Sequence, residues 1–379
     1  MRSGLSSGDS SPIRGLTIHL QNMHSPWSVP TSRWTHSCRS WSDERVLRVY
    51  LDQNKWIDLA RAAKGEVAGA RFRDVLDLAR ASVAAGIVSF PLDISRYMET
   101  AKRGNWQSRQ ELVATMAELS LFHTVAPASV ILPAEIDAAL HRRFGRPSAP
   151  RTAQVLGKGV GHAAGGGIRT DGRLDLPPGL TLPDGYRAQA EEAMQATLEY
   201  FMLLGPSPEM DATPELQAIK AAMTQDAQYA QGETDLAARL IEHGFSKGEK
   251  LGRAMSATEL RDILPPLLEA LSLADVDPDR FMDTLGRDGL TAFLGDLPTR
   301  SVTLDLRRDK HAQGQQQWEP NDLNDMVGLP IAAVYCDVVV TERQWVNRMR
   351  RARVAQRFET RLIADLADLM GVLVELTRM

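Results

Sequence analysis

The chain has 379 residues, 43% of them hydrophobic, and 44 Lys and Arg stand against 48 Asp and Glu for a formal net charge of -4. That length can bury a full core and leaves room for two domains or for one domain with a large insertion. The near balance of charge excludes a generally basic nucleic-acid coat and confines any polyanion binding to a local patch.

Two cysteines, Cys38 and Cys336, allow at most one bridge and no zinc cluster, as expected for a cytoplasmic protein in a reducing compartment. There is no run of about 18 apolar residues that would span a membrane. Residues 1–43 are rich in Ser, Gly, Pro, Trp and His without periodicity and lack the apolar core of a secretory signal. They read as a poorly ordered extension, although Trp27, Trp34 and Trp41 are of a type that usually packs against something.

From residue 44 the text becomes structured. Val46, Leu47, Val49, Tyr50 and Leu51 form a short apolar run of the kind expected for a strand buried on both faces, closed by Asp52. Asp52 is thereby placed at the carboxyl edge of a sheet, where open α/β sheets bind ligands; it reads equally as the N-cap of the helix that follows. Trp56, Leu59, Ala60 and Ala63 mark one helix face, and Phe72, Val75, Leu76, Ala79 and Val83 a second. Ile87 to Leu92 reads as a second strand, after which Asp93 or Ser95 caps a helix carrying Glu99. A helix over Ser108–Ser120, a brief strand over Phe122–Val125 and a helix over Ala134–Phe144 complete residues 44–145. This alternation argues for an α/β fold with a parallel sheet and helices on both faces.

Residues 146–300 read as an insertion. Its first part is loaded with Gly and Pro and contains Gly157-Lys158-Gly159-Val160-Gly161, in which no Ser or Thr follows the lysine as a phosphate-binding loop requires. Helical patterns follow over Arg187–Leu204, Glu215–Gly244, Ala257–Leu273 and Asp279–Leu294. Residues 301–379 return to the sheet: Ser301–Leu306 reads as sheet-like, Asp305 to His311 as an exposed charged loop, and a helix starts near Asp322 and Asp325. Val338–Val340 reads as a compact strand closed by Glu342, and Thr360 to Leu376 as a final strand and helix. By chain geometry Asp325 and Glu342 return to the edge that holds Asp52, whereas Asp337 precedes its strand and belongs at the opposite end.

Asp52, Glu99, Asp325 and Glu342 are therefore expected to converge, with Asp322 beside them. Packed carboxylates repel one another unless cations share the site, and hard oxygen ligands suit Mg²⁺ or Mn²⁺, which also bind phosphate oxygens. No His pair has zinc-ligand spacing among His123, His141, His162, His243 and His311. Arg343, Arg348, Arg350, Arg351, Arg353 and Arg357, with Trp345 among them, read either as a solvated helix face or as a contact surface for RNA.

In these features the sequence resembles the PIN-domain (PilT N-terminus) nucleases: Asp52-Gln53-Asn54 after the first strand, Glu99 after the second, Asp325 at a late helix start, and Val338-Val339-Val340-Thr341-Glu342 as closing strand and acid. The resemblance implies a PIN-like three-layer α/β/α fold with a central parallel sheet, interrupted by the mainly helical insertion. It also implies a divalent-metal-dependent ribonuclease acting on single-stranded RNA, with a toxin or defence role by analogy. Asp52, Glu99, Asp325 and Glu342 would be catalytic and, with Asp322, hold the metal; Asn54 would support Asp52, and Arg343, Arg348 and Arg351 would contact substrate. The alternative is a catalytically degenerate PIN-like module that binds RNA or a protein partner. Self-association and a regulatory protein partner are left open.

Overall fold

The computed structural model describes residues 46–168, 172–173, 183–207, 225–314 and 317–377. The extension at 1–43, with its three tryptophans and Cys38, lies outside them, as does the first part of the helix expected over Glu215–Gly244.

Chain order begins β1 (Leu47–Leu51), α1 (Gln53–Lys64), a 3-10 turn (Val67–Phe72), α2 (Arg73–Ala84), β2 (Val88–Ser89), α3 (Ile94–Ala101), α4 (Trp106–Ser120), β3 (His123–Val125) and α5 (Ala128–Phe144). β4 (Leu156–Lys158), α6 (Gly159–Ala163), α7 (Asp184–Leu204), α8 (Gln225–Glu242), α9 (Gly248–Leu273), α10 (Pro278–Gly295) and α11 (Pro298–Ala312) follow. The chain closes with α12 (Asp322–Tyr335), β5 (Val338–Val340), α13 (Arg343–Arg351), α14 (Val354–Phe358), β6 (Arg361–Ile363), a 3-10 turn (Leu366–Asp368) and α15 (Leu369–Thr377).

The protein is α/β, with a small parallel sheet in the order β2-β1-β5-β6. Beyond β2, Leu92 bridges in parallel to Thr124 of β3, which in turn pairs antiparallel with β4. Val49 aligns with Val338 and Leu51 with Val340, so β1 and β5 end level at the same carboxyl edge. Val338, Val339 and Val340 are all fully buried, and burial of each contributes roughly 1.5–3 kcal/mol. Their period of two sends Val338 and Val340 into one core and Val339 into another. α1, α2, α4 and α15 cover the first face of the sheet, and α11, α12 and α13 the second. A third core joins α8, α9 and α10 to one side of α5 and to Leu304 of α11. No helix among the described residues is long and apolar enough to cross a membrane.

Two local readings need correction. Ser301–Leu306 is not sheet-like but lies within α11: Pro298 opens the helix, and the buried pair Val302 and Leu306 has the i,i+4 spacing of a helix face. The boundary at 301 thus falls inside a helix. Arg307, Lys310 and His311 belong to that same helix and are buried, because each reaches an acid on a neighbouring helix, so Asp305–His311 is not an exposed loop. Around Lys158 the chain forms β4 and the short α6, and the Glu199 carboxylate accepts from Val160 N at 2.8 Å. The Val160 N–H at the start of α6 is thus already taken by a carboxylate.

Candidate functional site

Asp52 directly follows β1 and is both things its sequence position allowed. Its Oδ1 accepts from Gln53 N at 2.6 Å, capping α1, and its Oδ2 accepts from the Thr341 hydroxyl at 3.0 Å just past β5. The same Oδ1 accepts from Arg96 Nη1 at 2.9 Å. Arg96 is the residue that sequence reasoning missed. It stands on α3, is 1% exposed, and its guanidinium reaches Glu99 Oε2 at 2.7 Å and Asp93 Oδ1 at 3.5 Å. Asp93 caps α3 by accepting from Arg96 N at 2.9 Å, and its other oxygen accepts from the Tyr50 hydroxyl at 2.7 Å. The signal was present in Asp93-Ile94-Ser95-Arg96-Tyr97-Met98-Glu99, where Arg96 lies three residues from an acid on either side.

α12 brings the late-sequence acid to this cluster. Asn324 donates to Glu99 Oε1 at 3.2 Å, and Asp325 Oδ2 accepts from the Trp345 indole at 2.8 Å. Burial pushes the Asp325 carboxyl well above the usual carboxylate range, and the Asp52 and Glu99 charges push it the same way, with Arg96 opposing. Glu99 is raised as well, by burial first and then by Asp52 and Asp93, again against Arg96. Asp325 Oδ1 accepts no hydrogen bond from a described residue.

The close approach of α12 depends on Gly328. A Cβ there would collide with the Tyr50 hydroxyl and Asp93 Oδ2.

The other expected residues lie further out. Glu342 accepts from Asn54 Nδ2 at 2.7 Å and from Gln344 Nε2 at 2.8 Å, so Asn54 supports Glu342, where the resemblance paired it with Asp52. Asp322 is turned away to Lys310, whose Nζ lies 2.5 Å from its Oδ2, and the same oxygen accepts from Glu319 N at 2.6 Å. This buried ion pair occupies the carboxylate as an accessory ligand would have used it. Arg348 is buried, stacked at 5.1 Å over the Trp345 ring, and Arg351 holds Asp309 through two hydrogen bonds of 2.8 and 2.7 Å. Of the three expected substrate contacts, Arg343 is the exposed residue without such an engagement among the described residues.

The structure therefore brings Asp52, Glu99 and Asp325 together, adds Asp93, and sets three of these carboxylates, Asp52, Asp93 and Glu99, around the Arg96 guanidinium. One guanidinium does not balance the carboxylates of that group, which adds to the burial that chiefly raises Asp325 and Glu99. The donors are hard oxygens, and by charge and donor type they fit a hydrated dication. Among the described residues no group of three or more His, Cys, Asp or Glu side chains is already arranged to hold a metal ion, so the side chains as they stand do not form a finished metal site. Comparison of the chain with family models, with curated proteins and with solved structures gives no match.

Proposed function

We propose that the chain is a PIN-like, divalent-metal-dependent endoribonuclease whose site is the carboxyl edge of the parallel sheet. The observation that supports this reading is the convergence of Asp52, Glu99 and Asp325, from three separate stretches of sequence, on one buried acidic cluster. Asp325, with Asp52 and Glu99 beside it and Glu342 further out, would hold Mg²⁺ or Mn²⁺. When bound, such an ion supplies charge stabilisation at phosphorus and lowers the pKa of water.

The chain's own residues supply orientation. Trp345 fixes Asp325 by a hydrogen bond to one oxygen and leaves the other for a ligand. Asn324 and Arg96 hold Glu99, and Thr341, Gln53 N and Arg96 hold Asp52. Arg96 keeps three acids in register within a space they would otherwise not share, and the exposed Arg343, next to Glu342, would meet the phosphate backbone of single-stranded RNA.

One observation favours a second reading. Arg96 already supplies a buried cation to the acids, as it would in a non-cleaving module that binds RNA or a protein partner. Incubation of the protein with single-stranded RNA separates the two. The ribonuclease reading expects cleavage in Mn²⁺ that chelator and Asp325→Asn both abolish, whereas RNA binding indifferent to chelator, with no cleavage in any metal, supports the module.

A further inference from the structure

The acids at the sheet edge differ in how much of their bonding capacity is already spent. An ionised carboxylate offers about four acceptor sites. Among the described residues Asp52 fills three of them: Oδ1 accepts from Gln53 N at 2.6 Å and Arg96 Nη1 at 2.9 Å, and Oδ2 from the Thr341 hydroxyl at 3.0 Å. Asp93 is engaged on both oxygens, by Arg96 N at 2.9 Å and the Tyr50 hydroxyl at 2.7 Å. Glu99 has Arg96 Nη2 at 2.7 Å on Oε2 and Asn324 Nδ2 at 3.2 Å on Oε1. Asp325 accepts from Trp345 Nε1 on Oδ2 and keeps Oδ1 open. Asp325 therefore has the most capacity left, and Asp52 has about one acceptor site to share with it.

Between Asp52 and Glu99 the place of a bridging cation is taken. One guanidinium, on a side chain 1% exposed, reaches Asp52 Oδ1 through Nη1 and Glu99 Oε2 through Nη2. Its Nε faces Asp93 at 3.5 Å, and the group lies 5.8 Å from the centre of the Tyr50 ring. An arginine is not deprotonated in a protein, so this cation is permanent. Sites that use two metal ions on phosphate esters set them roughly 3.5–4 Å apart. A second ion bridging Asp52 and Glu99 would have to occupy the space that the Arg96 nitrogens fill.

We propose that Arg96 stands in the place of a second metal ion, so that the sheet edge takes a single dication, through Asp325 and the remaining acceptor site of Asp52. The inference rests on the metal reading of this edge and deepens it by fixing the number of ions. Attachment through one or two carboxylates, with water completing the shell, is the usual mode for Mg²⁺. One dication brings the ionised acids and Arg96 close to neutrality, whereas a second would turn a buried group positive, which burial penalises.

The test counts Mn²⁺ bound per full chain, without RNA, by equilibrium dialysis with elemental analysis, and reads coupling between bound ions by electron paramagnetic resonance. The native protein is expected to hold about one uncoupled Mn²⁺ at saturation. Arg96→Met, kept in Mn²⁺ throughout purification, is expected to hold about two, close enough to give a spin-coupled spectrum. Arg96→Gln, which retains an amide donor for the acids, carries the same expectation and serves where the methionine variant does not fold. Arg96→Lys keeps the charge and should stay at about one. Two ions on the native protein, or one on the folded methionine or glutamine variant, would overturn the inference and leave the metal reading standing. No Mn²⁺ on any of these proteins would overturn both.

Discussion

Arg96 Nη1 lies 2.9 Å from Asp52 Oδ1, with the two side chains 1% and 9% exposed. This contact joins the first strand end to α3 and puts a permanent cation inside a group of acids. Desolvating such a pair costs several kcal/mol per ion, which Coulomb attraction only partly offsets. Its worth lies in what happens when one partner is removed.

Replacing Arg96 by Met leaves Asp52, Asp93 and Glu99 without their shared guanidinium. We expect a loss of about 3–5 kcal/mol in urea unfolding, with Mn²⁺ restoring more stability to the variant than it adds to the native protein. An Arg96→Met protein as stable as the native one would show that the acids do not depend on this cation.

Asp325 acts in the opposite direction. Its carboxyl is raised in the fold, by burial first and then by Asp52, so between its unfolded and folded values the folded state binds more protons and stability falls as pH rises. Asp325→Asn removes that penalty and should raise the metal-free thermal midpoint at neutral and alkaline pH. Mn²⁺ competes with the same proton, so affinity for the ion should climb as pH increases. A midpoint lowered by the substitution, or metal affinity flat with pH, contradicts this placement of Asp325.

Thr341→Val keeps the shape of the side chain and deletes the donor to Asp52 Oδ2. A hydrogen bond to a charged group is worth about 1.5–3 kcal/mol, and chemical denaturation should register a loss of that order. Gly328→Ala should cost about 1–3 kcal/mol through overpacking against Tyr50 and Asp93, with cleavage activity reduced because α12 carries Asp325.

His123, on β3, is lowered to about 4, chiefly by burial and then by Lys158. A histidine depressed in the fold gives stability that is present above its unfolded value, about 6.5, and is lost as pH falls toward about 4. The contribution is on the order of 3 kcal/mol. Thermal midpoints measured across that window should drop more steeply for the native protein than for His123→Gln; parallel curves would remove His123 from the acid response.

The sheet and its edge were legible because they follow from local pattern. Val338-Val339-Val340 can be little other than a buried strand, and an acid after each of β1 and β5 must emerge at one edge once the strands are parallel. Asp337 was likewise placed correctly at the other end, where its Oδ2 accepts from Arg48 N at 2.7 Å. Arg96 was not read because an arginine on a short helix looks solvated until its three acid partners are in place, and two of those lie on its own helix turn. Ser301–Leu306 misled because Val302-Thr303-Leu304 carries strand-type side chains, while the Pro298 start and the burial of Lys310 against Asp322 depend on tertiary packing. Asp322 illustrates the same limit: its position on the first turn of α12 was right, but the lysine that claims it comes from another helix.

The central claim is that the acids at the sheet edge hold a dication, and calorimetric titration of Mn²⁺ into the native protein and Asp325→Asn at pH 8 tests it most directly. The account predicts saturable binding to the native chain, weakened about tenfold or more in the variant, as loss of a charged ligand requires. Equal Mn²⁺ affinity in the two proteins, or none in the native one, would contradict it.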